Sequence, residues 1–204
     1  MDLYFCPMTC SLATRIALYE SGQDARFHQV ALSDKTIVGG GDYLAVNPKG
    51  QVPALRLDDG HLLTEGPAIL QYVADRAPDS KLAPSAGSLA RYEVQAWLNY
   101  VAAEVHKQVF YVIFSPESPE AARDHARTVL APRRFGHLQS RLADREFLAT
   151  DDFSVADAYL TTTLNWTRNA GIDLKPWPAV TAYHKRMTAR PAVARAIAEE
   201  MALR

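Results

Sequence analysis

The feature that most constrains this chain is a change of pattern near residue 80. Up to Arg76, strand-like and helix-like runs alternate; beyond residue 87 no strand-like alternation persists. A chain that switches in this way is predicted to fold as an α/β layer unit followed by an all-helical one. In the first part, Leu3-Tyr4-Phe5 reads as a short strand. Leu12 to Ser21 reads as a helix that stops at Gly22, and Phe27 to Leu32 as a second strand. Val52 to Leu57 and His61 to Thr64 flank Asp58-Asp59-Gly60, the signature of a hairpin. A further helix opens at Pro67, since proline suits a first helical position. The order is βαβ, a long connection, then ββα. Residues 1–80 are therefore expected to form one unit, 81–87 a linker rich in Pro, Ser and Gly, and 88–204 a helical domain. Within the latter, Ser88 to Phe114 reads as one long helix. Pro119 to Leu142 reads as another with a kink or break at Pro132, and Ser154 to Arg168 and Ala179 to Met201 follow, the last interrupted near Arg190-Pro191.

Charge and cysteine content narrow the partners. Lys plus Arg is 22 and Asp plus Glu is 23, a formal net charge of −1. That leaves no basic excess to hold a phosphate backbone, so nucleic acid is not an expected partner. Two cysteines are no disulfide framework. No apolar run reaches the roughly 18 residues of a membrane span, and the N-terminus lacks the charge and apolar core of a secretory signal. A cytoplasmic protein with reduced thiols is the expectation.

Three stretches of the first part carry chemistry. Cys10 falls where a strand hands over to a helix, and the unpaired N–H groups and dipole of a helix start favour thiolate. Two roles fit it, an activated nucleophile or a small buried apolar residue. Cys6 lies four residues earlier, outside the Cys-x-x-Cys redox spacing, and reads as a packed residue that could still pair transiently with Cys10. In Asn47 to Leu55, Val52-Pro53 is a candidate cis bond at a strand entrance. A turn there would leave the Val52 N–H and C=O outside the sheet ladder, open to an extended peptide ligand, although a plain loop-to-strand turn is equally consistent with the residues. Thr64-Glu65-Gly66-Pro67 supplies a second helix start. Its N–H groups suit a ligand carboxylate and Glu65 suits a ligand ammonium, or Glu65 acts only as an acidic cap.

Taken with Leu63 to Tyr72, Trp97 to Tyr100, Glu104 to Lys107 and Phe153 to Leu160, these stretches resemble the bacterial cytosolic glutathione S-transferases of the beta class, in order and along essentially the whole chain. The resemblance implies a thioredoxin-like N-terminal domain, an all-helical C-terminal domain and a homodimer. It implies glutathione as co-substrate and no metal. By position, it assigns Cys10 to the glutathione sulfur, Lys35 to the glycyl carboxylate, the Val52 main chain to the cysteinyl unit, and Glu65 with Gly66 to the γ-glutamyl end. Many relatives carry Ser where Gly66 stands, so that contact would be main chain here. Asn99, Ala103, Glu104, His106 and Lys107 match residues that close the site over the thiol. His106 joins Cys10 as a catalytic candidate. Phe110, Phe114 and Trp166 are the expected electrophile pocket. The sequence departs from the family pattern at Cys6 and Thr9 and in the bulky run Gln108 to Phe114.

The long helix offers its own argument. Asn99, Ala103, His106, Phe110 and Ile113 recur at helical spacing, polar at the start and aromatic at the end, which suits a cleft or, equally, a domain or dimer contact. Val94, Trp97, Leu98, Val101 and Val105 form a separate apolar stripe. Ser154-Val155-Ala156-Asp157 reads as a capping box, so Asp157 is expected to be structural. The expected function is conjugation of reduced glutathione to small hydrophobic electrophiles, with Cys10 able to form a mixed disulfide. Alternatives are thiol oxidoreductase, peroxidase or dehalogenase chemistry, or a non-catalytic member that binds a ligand or a partner.

Overall fold

The computed structural model describes residues 1–204. Five strands form one sheet: β1 (Asp2–Phe5), β2 (Arg26–Ala31), β3 (Thr36–Ile37), β4 (Ala54–Arg56) and β5 (Leu62–Thr64), in the order β3-β2-β1-β4-β5. β1 and β2 run parallel, and every other pair is antiparallel. The parallel pair needs a crossover, which α1 (Leu12–Glu20) supplies. Central β1 is buried along its length, with Leu3 in register with Phe27 on one side and Leu55 on the other. α1 ends as expected: Gly22 sits at φ +67 and donates its N–H to Tyr19 O. β3 had no readable pattern, because two residues cannot show a period. It is set by pairing of Val30 with Ile37 and by a bridge from Thr36 to Asp42. α2 (Gly66–Asp75) follows the hairpin directly.

Residues 89–114 form one continuous helix, α3. Its middle, Tyr100–Tyr111, is π-helical. α4 spans residues 120–142 and is not broken at Pro132. Instead the five residues before Ala131, Ala126–Leu130, widen into π-helical geometry, so the ladder adjusts ahead of a residue that has no N–H to give. α5 (Val155–Leu164) is buried on all sides, and α6 (Pro178–Thr188) and α7 (Pro191–Met201) complete the chain. The expected capping box at Ser154 is present. Asp157 is fully buried and accepts from Ser154 N (2.9 Å), Ser154 Oγ (2.7 Å), Leu148 N (2.7 Å) and Tyr183 Oη (2.8 Å). Burial pushes its carboxyl above the ordinary range, against the pull of those donors.

Packing divides the chain into residues 1–83 with 191–204, and residues 84–190. The expected helical domain of 88–204 is therefore corrected at its end. Its last helix, α7, packs on α1 of the sheet unit, where Arg15 is ion-paired with Glu199 and Glu200. An amphipathic pattern fixes which face of a helix is apolar but not which unit receives it. The two units are described separately below. No helix is long and apolar enough to cross a membrane.

Candidate functional site

In the sheet unit, Cys10 lies one residue before Ser11, the cap of α1. The chain between β1 and α1 is a wound turn. Thr9 N donates to Cys6 O (3.2 Å), Leu12 N to Thr9 O (3.1 Å) and Ala13 N to Cys10 O (3.3 Å). The helix-start N–H groups expected to be open are thus taken up by the turn itself. Ser11 is fully buried, and its hydroxyl accepts from Cys6 N and donates to Cys6 O, both at 3.1 Å. A buried hydroxyl committed in this way locks the turn and has no freedom to reach a ligand. From the other side Glu200 of α7, also fully buried, accepts from Met8 N at 2.6 Å, with Met8 held at φ +61. Glu200 is ion-paired with Arg15 Nε at 3.1 Å, and the Arg15 guanidinium lies 4.4 Å and 4.0 Å over the rings of Phe5 and Phe27. Burial pushes the Glu200 carboxyl up to about 7 even with these partners. Burial and the nearby Glu200 also raise the Cys6 thiol, which leaves Cys6 a poor nucleophile beside Cys10.

The Cys10 thiol donates to Val52 O at 3.1 Å. The Val52–Pro53 bond is cis, as expected. The Val52 carbonyl is not unpaired, however, because it receives the thiol. Lys35 also reaches this edge: it sits at φ +60, its ammonium donates to Gly50 O (3.1 Å), and its carbonyl accepts from Tyr43 N (2.8 Å). Glycine is favoured at 50. Its φ is +59, and a Cβ there would stand 3.2 Å from both Lys35 Cδ and Leu44 Cδ2. Glu65 caps α2 at φ +70, and its carboxylate is ion-paired with Lys49 Nζ at 2.5 Å, both side chains exposed. A non-glycine residue at positive φ is uncommon and gathers at functional sites. At Gly66 a Cβ would meet only Pro53 Cγ at 3.9 Å, so sterics do not demand glycine there. The structure thus brings Cys10, Lys35 and Val52 onto one edge of the sheet unit.

In the helical unit, His106 Nδ1 lies 2.7 Å from the Tyr159 hydroxyl, and its ring lies against Trp166, centroids 5.0 Å apart. Burial, reinforced by neighbouring Lys107, pushes the imidazole down to about 4. His106 is therefore neutral at pH 7. Lys107 is exposed, with its ammonium 4.4 Å over the Tyr111 ring. Trp166 further contacts Phe110 (5.4 Å) and Phe114 (6.5 Å), so the three expected pocket residues do meet. Phe110 is fully buried, however, and also packs on Phe135; it backs this cluster, while Phe114 faces solvent. Asn99 and Ala103 are exposed. The stripe therefore runs from surface to core and is not one continuous wall, because the π-helical middle of α3 changes the angular step on which the spacing argument rests. Glu104 has a different partner from the one expected: its carboxylate is 2.5 Å from Arg134 of α4.

Several supporting residues escaped the sequence reading. Tyr159 lies in a matched motif, yet nothing in the sequence pairs it with His106. Glu200 sits far along the chain from the turn that it holds. Tyr43 and Asn47 both donate to Gln51 O, at 2.7 Å and 2.8 Å. The one available signal was an aromatic residue just ahead of the Asn-Pro-Lys-Gly turn.

Comparison with known proteins fits this geometry. Residues 5–76 match the family described as glutathione S-transferase, N-terminal domain, and residues 101–191 the family described as glutathione S-transferase, C-terminal domain. Glutathione S-transferase GstA of Escherichia coli O157:H7 is 43% identical over 200 residues, covering 98% of each chain. A sphingomonad glutathione S-transferase solved in complex with glutathione is 42% identical, with a TM-score of 0.94 over 98% of this chain and 99% of that one. A bacterial beta class enzyme of Sphingomonas chungbukensis is 42% identical, with a TM-score of 0.94 over 98% of both chains.

Proposed function

The chain belongs to the glutathione S-transferase family, in its bacterial, beta-class-like branch, and on that premise we propose that it binds glutathione along the Lys35–Val52 edge and conjugates it to small hydrophobic electrophiles. The observation that carries this reading is the thiol of Cys10 on the Val52 carbonyl, with the Lys35 ammonium on the carbonyl of Gly50 two residues earlier, within one small unit. An extended peptide pairs with a main-chain edge through its own N–H and C=O, so the Val52 N–H, and its carbonyl once the Cys10 thiol turns to the ligand, suit the cysteinyl unit of glutathione. Lys35 suits the glycyl carboxylate, and Glu65 with the Gly66 N–H suits the γ-glutamyl group. The resemblance, and no distance, assigns Asn99, Ala103, Glu104 and Lys107 to glutathione, His106 to catalysis, and Phe110, Phe114 and Trp166 to the electrophile.

A cysteine at this position also supports thiol–disulfide exchange. The Cys10 thiolate attacks one sulfur of oxidised glutathione, a Cys10–glutathione disulfide forms, and the second glutathione leaves as its thiolate. A homodimer is part of the same reading, and light scattering should give twice the 22.6 kDa chain mass. The test of glutathione placement is calorimetry. Lys35→Ala should weaken glutathione binding by about 1.5–3 kcal/mol, the range for a hydrogen bond to a charged group. Unchanged affinity would move the carboxylate elsewhere.

A further inference from the structure

We infer that Tyr43 is a positioning residue for glutathione: its hydroxyl holds the Gln51–Val52 peptide that presents the Val52 edge, while its backbone N–H ties the Lys35 backbone to the same turn. The inference rests on the glutathione reading above and adds a residue that no part of the resemblance assigns.

Tyr43 is fully buried and spans both halves of the proposed binding edge. Its N–H donates to Lys35 O at 2.8 Å, which ties down the backbone of a residue held at φ +60. Its hydroxyl donates to Gln51 O at 2.7 Å, the carbonyl of the peptide that leads into Val52. Its own carbonyl accepts from Val46 N (3.0 Å) and Asn47 N (2.8 Å), closing the short turn that returns the chain to Gly50. Asn47, itself buried, adds a second donor to Gln51 O at 2.8 Å. Two donors on one carbonyl use both of its lone pairs and fix the plane of the Gln51–Val52 peptide. That plane sets where the Val52 N–H points, and the next carbonyl along is the one that receives Cys10. The tyrosine ring is pinned in turn by the ring of Tyr4 on β1, centroids 5.7 Å apart. Burial raises the phenol above its ordinary range, which favours the protonated hydroxyl that donates to Gln51 O. A purely apolar role would be served equally well by phenylalanine, and the hydroxyl is the part that the packing does not need.

The discriminating variant is Tyr43→Phe, which keeps the ring and removes one donor. Gln51 O then keeps Asn47, so no buried group is orphaned and the melting temperature should stay close to that of the parent. The Val52 peptide becomes freer to tilt. The dissociation constant for glutathione, and its KM, should rise about three- to tenfold, as for loss of one ordinary hydrogen bond. kcat at saturating glutathione and KM for the electrophile should be retained. γ-Glutamylcysteine, which lacks the glycyl unit, separates the two halves of the edge. Tyr43→Phe should weaken it by the same factor as glutathione, whereas Lys35→Ala should weaken glutathione far more than γ-glutamylcysteine. If Tyr43→Phe does not fold, Asn47→Ala removes the other donor to Gln51 O together with the Oδ1 that accepts from Lys49 N, and glutathione affinity unchanged in that variant overturns the claim that the Gln51 carbonyl must be held. Glutathione affinity unchanged in a folded Tyr43→Phe, with Lys35→Ala weakened, overturns the role of Tyr43 and leaves the glutathione reading standing. No glutathione binding by the parent protein overturns both.

Discussion

Replacing His106 by glutamine should flatten the acid side of the stability profile. The imidazole is hydrogen-bonded to Tyr159, lies against Trp166, and is pushed from 6.5 down to about 4 by burial and by Lys107. A depressed histidine pKa means that the folded state favours the neutral ring. The contribution is fully present above the unfolded value of 6.5 and is lost as pH falls through about 4. The whole shift corresponds to about 3 kcal/mol, at 1.36 kcal/mol per unit. Between pH 7 and pH 5, where the unfolded ring takes up its proton and the folded ring does not, the loss is about 2 kcal/mol. Urea denaturation of the parent and of His106→Gln at both pH values isolates this quantity, since every other titrating group cancels in the difference. The parent should lose about 2 kcal/mol more than the variant. Equal losses, or a ring titration near 6.5 by NMR in the parent, would show that burial does not hold His106 in its neutral form.

Two other substitutions test the framework of the site. Gly50→Ala forces a side chain to φ +59 and sets its Cβ 3.2 Å from Lys35 and Leu44; it should cost about 1–2 kcal/mol from backbone conformation alone, read in urea, and weaken glutathione binding. Stability equal to the parent would show that the turn has another conformation open to it. Asp157→Ala leaves the buried donors of Leu148, Ser154 and Tyr183 without their acceptor; a loss of about 3 kcal/mol or more is expected, at about 1–3 kcal/mol for each orphaned group. A change within 1 kcal/mol, roughly the worth of one hydrogen bond, would mean that water or the backbone replaces the carboxylate.

The order of strands and helices was legible because apolar periodicity and Gly or Pro stops are local signals. β3 was not, since its two residues are set wholly by β2 and Asp42. The placement of α7 was not, since the pattern Val193, Ala196 and Glu200 names a buried face without naming α1 as its partner. At the candidate site, Cys10, Val52 and Glu65 stand out in the sequence one by one, and Lys35 only through the resemblance. The contacts that determine their chemistry join distant positions: Cys10 with Val52, Glu200 with Met8, His106 with Tyr159. Phe110 and Glu104 differ from expectation because side-chain direction along α3 depends on its π-helical middle, and helical spacing assumes an α step.

The central claim is that Cys10 is the sulfur that meets glutathione. Mass spectrometry of the protein treated with oxidised glutathione, with Cys6→Ser as background and peptide mapping of the adduct, tests it directly. One glutathionyl group per chain is expected, carried on Cys10 and absent from Cys10→Ala. No adduct, or in the parent protein an adduct on Cys6 in place of Cys10, would contradict it.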